Sequence, residues 1–411
     1  MKIPFLILIL IIQPAILFAG IIKVGKQEVI STLRKGIEIA RPGDTILLQK
    51  GVYKEEELII EKSIVIIGVD NPVLDGENKY QILTLTGNGI IIRGISFRNS
   101  GYSSMNDLAS IGVINATNII IENNTITDAY FAMHIANVSS GIIRNNIIKG
   151  TPKNEQTSGN GIHLWKCEKM LVEGNVINGH RDGIYFEFVT HSMAIENLSY
   201  GNIRYGLHFM FSHNDAYLEN TFKNNGAGVA VMYSKHVLMQ RNNFEKNWGA
   251  NAYGLLLKEI SDGQILENNF SGNTVGIFME STNRIDMLLN QFEDNGWALK
   301  IQASCEDNII HHNNFVGNSF DVATNSSKSF NRFYNNYWDK YEGYNIDHDA
   351  TGDVAFHPVS MYSMVMEQNP DAVVLLRSFM VSLLDKAEKA LPSITPENMK
   401  DEAPLMKPLK L

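Results

Sequence analysis

From residue 117 to residue 340, short apolar runs of Ile, Val, Leu and Phe alternate with polar residues, and the pattern keeps returning. Asparagines in similar apolar frames fall at Asn124, Asn146, Asn175, Asn197, Asn220, Asn243, Asn269, Asn290, Asn314 and Asn336. The intervals are 22, 29, 22, 23, 23, 26, 21, 24 and 22 residues. A second column runs in step: Gly161-Ile162, Gly183-Ile184, Gly206-Leu207, Gly228-Val229, Gly254-Leu255 and Gly276-Ile277. Two markers sharing one period identify a repeat protein. Alternation at period two is strand patterning, and helical periodicity is absent from residues 45 to 340. Each unit has an apolar side it cannot bury alone, so stacking must supply the core. The expected fold is all-β: a right-handed parallel β-helix of about a dozen coils, with Asn and Gly at the bends because both tolerate left-handed backbone.

The ends differ from the middle. Residues 1–19 read as a signal peptide, with Lys2 before an apolar run and Ala19-Gly20 at a cleavage position. Ile30, Leu33, Ile37 and Ala40 have helical spacing and are placed to cap the first coil. The β-helix is assigned to residues 20–338 and a C-terminal extension to 339–411. In that extension, Asp371 to Leu391 read as an amphipathic helix between two prolines, followed by a proline-punctuated tail. Charge adds an exclusion: 35 Lys and Arg against 44 Asp and Glu, net −9, leave no basic footprint for nucleic acid. Cys167 and Cys305 fall six coils apart, about 29 Å at the strand spacing, so both are expected as buried free thiols.

Strand alternation then sorts side chains by face. With Ile162, Leu164, Ile184, Phe186, Leu207, Phe209, Val229 and Val231 inside, their neighbours form two solvent-facing ladders. One reads His134, His163, Tyr185, His208, Ala230, Leu256, Phe278. The other reads Ala136, Trp165, Glu187, Met210, Met232, Lys258, Glu280. Imidazole and thioether together suit copper, Cu(I) above all, so His163, Glu187, His208, Met210 and Met232 form the candidate metal set. A partner-binding stripe is the plainer alternative. His311 and His312 read as surface residues at a turn. His357, Met361, Met364 and Met366 read chiefly as core filler, and Asp347 to Asp353 only faintly suggest a calcium loop. A secreted carbohydrate-active enzyme is the competing function, but it needs paired carboxylates, or an acid cluster with a basic residue, facing out on neighbouring coils; Arg181 and Asp182 precede a strand and read as turn residues. The outward face offers Glu187 and Glu280, four rungs apart.

The runs GNGIHLW (159–165), GHRDGIYFEFV (179–189), RYGLHFMFSHN (204–214) and NNGAGVAVMYS (224–234), with NNYWDKYEGY further on, resemble the NosD family. That resemblance implies a periplasmic, non-enzymatic maturation protein for nitrous oxide reductase. It implies an ABC transporter partner made of a NosY-type permease and a NosF-type ATPase. It further implies copper received from a NosL-type lipoprotein chaperone and passed to apo nitrous oxide reductase for its copper–sulfur centre. The ladder becomes a candidate transit site. The apolar stretch carrying Val373, Leu376, Phe379 and Leu383 becomes the candidate element for docking on the permease, the sole membrane contact; a helix that merely caps the stack is the alternative.

Overall fold

The computed structural model describes residues 19–411 apart from 104, 153, 251, 327 and 369–397, and it leaves out four side chains of the helix Met361–Gln368. The chain winds into a parallel β-helix of about fourteen coils with three walls, one of 14 strands, one of 12 and one of 13. Every strand pairs in parallel with the equivalent strand one coil away. The coil number exceeds the expected dozen because the first turns, from Ile21–Val24 onward, lack the asparagine marker that makes later coils countable.

The marker itself is a hydrogen-bonded column. Asn124, Asn146, Asn175, Asn197, Asn220, Asn242, Asn268, Asn290, Asn313 and Asn336 are all buried, and each passes its side-chain N–H to the amide oxygen of the next at 2.9–3.1 Å. Three expected positions are thereby corrected. Asn243, Asn269 and Asn314 lie one residue past the column, and Asn242, Asn268 and Asn313 occupy it. The rule that decides the register is backbone geometry. The residue just before each column member has positive φ: Asn123, Asn145, Gly174, Glu196, Glu219, Arg241, Glu267, Leu289, His312 and Asn335. The left-handed bend therefore precedes the ladder asparagine, and most of the residues that make it are neither Asn nor Gly. A second buried column joins Asn202, Asn225, Asn247, Asn273, Asn295 and Asn318.

The glycine column has a different cause from the one expected. These glycines are not left-handed; a Cβ on Gly206 would lie 2.6 Å from the Gly228 carbonyl oxygen of the next coil. Close backbone approach excludes a side chain there. Inside, Phe244, Phe270, Phe292 and Phe315 stack with centroids 4.5–4.9 Å apart, and Trp338 closes the pile at 4.1 Å.

The helix Leu33–Ile39 covers the first coil as expected. Thr32 caps it, and Gly36 allows an approach that a Cβ would block against Val24. At the far end, the C-terminal extension forms the helix Met361–Gln368. Met366 and Tyr362 are buried there against Phe320, so this methionine fills the end of the core, whereas His357 is exposed. Asp349 and Asp353 accept backbone N–H groups of Thr351 and Ile346 in local turns. The final residues return to the stack: Asp401 bridges to Phe333 and Leu405 to Tyr337. The buried Asp401 carboxylate accepts from the backbone N–H groups of Asn335 and Asn336, the Asn336 amide and the Trp338 indole, and so terminates the asparagine column. The proposed docking residues Val373, Leu376, Phe379 and Leu383, the helix assigned around them and the leader 1–18 lie outside the described residues.

Cys167 and Cys305 are free and buried, six rungs apart. Burial pushes the Cys167 thiol up to about 11, which suppresses the reactive thiolate.

Candidate functional site

Both outward ladders have the register read from the alternation. On the twelve-stranded wall His134 pairs with His163, His163 with Tyr185, Tyr185 with His208, and His208 with Ala230. Trp165, Glu187, Met210, Met232, Lys258 and Glu280 follow one another in the same way.

Their exposure differs from expectation. His163 is 7% exposed, Tyr185 7% and His208 4%, so the middle ladder points outward without meeting solvent. The rings cover one another. His134 sits 5.1 Å from His163, which stacks on Tyr185 at 4.6 Å, which stacks on His208 at 4.4 Å with an interplanar angle of 6°. Phe131 and Tyr205 close the sides at 5.9 and 4.9 Å. Tyr185 thus lies between the two imidazoles and separates His163 from His208. The candidate set divides in two. His163 Nε2 pairs with Glu187 at 3.2 Å, and its Nδ1 is buried without a hydrogen bond. His208 lies beside Met210 and Met232, which follow each other on adjacent rungs, and the Tyr185 hydroxyl donates to the Met210 sulfur at 3.4 Å.

A third column completes the wall, and the sequence reading did not assign it a role. Asp182 pairs with Tyr205, and Tyr205 with Ala227. Asp182 is fully buried; Arg204 grips it with Nε at 2.9 Å and Nη2 at 2.5 Å, and His208 Nδ1 stands 3.5 Å away. That last separation is an ion-pair distance, long for a hydrogen bond, so Nδ1 faces the Asp182 carboxylate while the buried Nε2 has no hydrogen-bond partner. Burial alone would raise the Asp182 carboxyl, yet His208 and Arg204 hold it at about 2. Burial lowers the His208 imidazole below its ordinary value despite Asp182. His208 is therefore neutral at pH 7 and keeps a lone pair. Burial likewise lowers His134 and raises the Tyr185 phenol, while the His163 hydrogen bond holds Glu187 low. Asp182 was readable only as a turn residue, because the Gly161-to-Gly276 corner shifts the alternation between it and Tyr185. The one signal was Arg204 following it by a single period.

The wall continues at its corner into an aromatic strip. Phe188, Phe211 and Tyr233 directly follow Glu187, Met210 and Met232 and stack at 5.1 and 4.9 Å, all three with φ near 54°. Bulky side chains in left-handed backbone are uncommon and strained.

A separate groove of about 550 Å³ lies on the fourteen-stranded wall, lined by His191, Met193, Asp215 and His236 among others. Asp215 is buried, with one carboxylate oxygen accepting from the Ser192 N–H and the other without a partner. Burial raises its carboxyl to about 8. The unfolded chain releases that proton near 3.8 and the folded chain near 8, so stability falls as pH rises between those values. Asp215→Asn keeps an acceptor for Ser192. It is expected to flatten this decline, with its advantage in melting temperature over wild type growing from pH 5 to pH 8.

Among the described residues no group of three or more His, Cys, Asp or Glu side chains converges to hold a metal ion, and no helix is long and apolar enough to cross a membrane. His208 shares a strand with Met210, and Met232 follows Met210 on the next rung, so one imidazole and two thioethers stand on this wall. Residues 145–350, half of the chain, match the family described as "Periplasmic copper-binding protein (NosD)". A relative from Pseudomonas aeruginosa, "Probable ABC transporter binding protein NosD", is 30% identical over 353 residues, covering 81% of this chain and 82% of that one.

The chain belongs to the NosD family.

Solved structures similar to this NosD-family chain show the fold alone. A complex of XylC with xylose has TM-score 0.55 and 12% identity, covering 80% of this chain and 88% of that one. The catalytic unit of a GH87 α-1,3-glucanase from Streptomyces thermodiastaticus has TM-score 0.57 and 11% identity, with coverage of 75% and 62%.

Proposed function

We propose that this NosD-family chain is a non-catalytic periplasmic subunit that holds copper in transit and works with an ABC transporter. In this reading the transporter is a NosY-type permease with a NosF-type ATPase, copper arrives from a NosL-type lipoprotein, and the client is apo nitrous oxide reductase. The family description and the relative's printed name support the coarse assignment. The observation that carries the copper reading is His208, whose buried Nε2 lacks a hydrogen bond, on the same strand as Met210 and one rung from Met232. Cu(I) is held by such ligands and released to others like them. His163 with Glu187 is the neighbouring station on the same wall. Tyr185, stacked against both imidazoles, must shift for one ion to contact both.

Among the described residues, the carboxylates of this wall speak against the carbohydrate-active alternative. Asp182, the best-placed carboxylate, is locked in the Arg204 fork, and Glu187 and Glu280 are four rungs apart.

The test is anaerobic Cu(I) titration of the full chain against a chromophoric competitor. His208→Ala and Met210→Ala are each expected to weaken one equivalent at least tenfold. Unchanged affinity and stoichiometry in both variants would remove the site. Co-purification with the permease, with and without residues 369–411, tests the partner assignment.

A further inference from the structure

A second pair of imidazoles lies on another wall, where the sequence suggested only surface residues. His311 ends the strand Glu306–His311 of the fourteen-stranded wall, in register with Leu288 and Tyr334. His312 follows with φ of 52°, a left-handed turn that brings its ring back beside that of its neighbour. The two Nδ1 atoms face each other at 3.0 Å. His311 Nε2 contacts the Asp286 carboxylate at 2.9 Å, and Tyr334 stacks on the His311 ring at 4.8 Å.

The chemistry follows from donor counting. A carboxylate only accepts, so Nε2 of His311 carries a proton, and in the singly protonated ring Nδ1 presents a lone pair. That lone pair meets the Nδ1 of His312, which either supplies a proton to it or joins it in holding a cation. Two imidazole nitrogens, each about 2.0–2.1 Å from one ion at a tetrahedral angle, stand about 3.3 Å apart, so the pair opens by a few tenths of an ångström to take it. A carboxylate behind a ligating imidazole fixes its tautomer and raises its basicity. Both rings are partly exposed, so an ion reaches them from solvent. The pair lies four rungs along the stack from His208, about 19 Å, and on a different wall.

We propose that His311 and His312 form a two-imidazole clamp for a single copper ion, positioned by Asp286 and open to solvent for the remaining ligands. Two protein donors with an open coordination sphere make a hand-over position: a partner's ligand completes the sphere and takes the ion. The clamp takes its metal from the copper-handling reading above, and its residues are independent of the His208 site.

The experiment is the same anaerobic Cu(I) competition, applied to His312→Asn, His311→Gln and Asp286→Asn in the full chain. His312→Asn retains a residue that tolerates the left-handed turn. Each histidine variant is expected to lose one equivalent, and Asp286→Asn to weaken that equivalent at least tenfold. His208→Ala is expected to retain it, so failure of the ladder site and failure of the clamp are distinguishable. Titration of ¹⁵N-histidine-labelled protein adds a direct readout, with the Nδ1 resonances of His311 and His312 shifting together at one equivalent. If a histidine variant does not fold, Asp286→Asn, whose side chain is 42% exposed, decides. Wild-type stoichiometry and affinity in all three variants would show that the contact is a hydrogen bond and overturn the proposal.

Discussion

Asn242→Ala is expected to destabilise the protein by about 3–5 kcal/mol, while Asn243→Ala, one residue along, stays within about 0.5 kcal/mol. The Asn242 amide oxygen accepts from both the backbone and the side-chain N–H of Asn220. Its own N–H group donates to the Tyr217 carbonyl and the Asn268 amide. Truncation leaves the Asn220 backbone N–H buried and without its acceptor, at about 1–3 kcal/mol, removes the bonds to the Asn220 side chain, Tyr217 and Asn268, and opens a void. Asn243 points outward from its strand and is partly exposed. Thermal melting reads the difference, on the order of 5 °C or more for Asn242. Hydrogen exchange locates it, because coils in a stacked protein lose protection nearest the lesion first. Equal effects from the two variants would contradict the column as drawn.

The second large effect belongs to Asp182. Asp182→Ala strands Arg204 and His208 beside a buried hole, and breaking a buried pair from one side costs about 3–5 kcal/mol. The pH dependence carries a clear sign. The folded carboxyl is held at about 2 against 3.8 in the unfolded chain, so its contribution is fully present above pH 4 and is lost as pH falls toward 2. That contribution is about 2 kcal/mol. The stability gap between wild type and Asp182→Asn is therefore expected to narrow across this window in denaturant melts at pH 6, 4 and 2.5. A constant gap would mean that the carboxylate's charge is irrelevant to the fold.

The register of the wall was legible because strand alternation has period two, and a slip of one residue would have turned Ile184 and Phe186 outward. His163, Tyr185 and His208 stand on successive rungs for that reason. What alternation could not give is exposure. It puts a side chain on a face and says nothing of what the neighbouring rings cover, so His208 was read as solvent-facing. Alternation also fails at corners, which is why Asp182 reads from the sequence as a turn residue and not as part of the wall. The three misplaced asparagines share a cause with it: in Arg241-Asn242-Asn243 both amides fit the motif, and the left-handed φ of Arg241 decides between them. No sequence signal paired Asp401 with Asn336, because a contact across 65 residues has no period.

That last contact sets the order in which the molecule can be finished. Asp401 leaves the ribosome after every coil has been made. Until it docks, Asn336 presents free amide groups and the terminal strands present bare edges to whatever chain is nearby. A nascent or clipped molecule lacking its final dozen residues therefore carries a template for end-to-end polymerisation. One aspartate on the returning tail turns an open-ended lattice into a particle of fixed length.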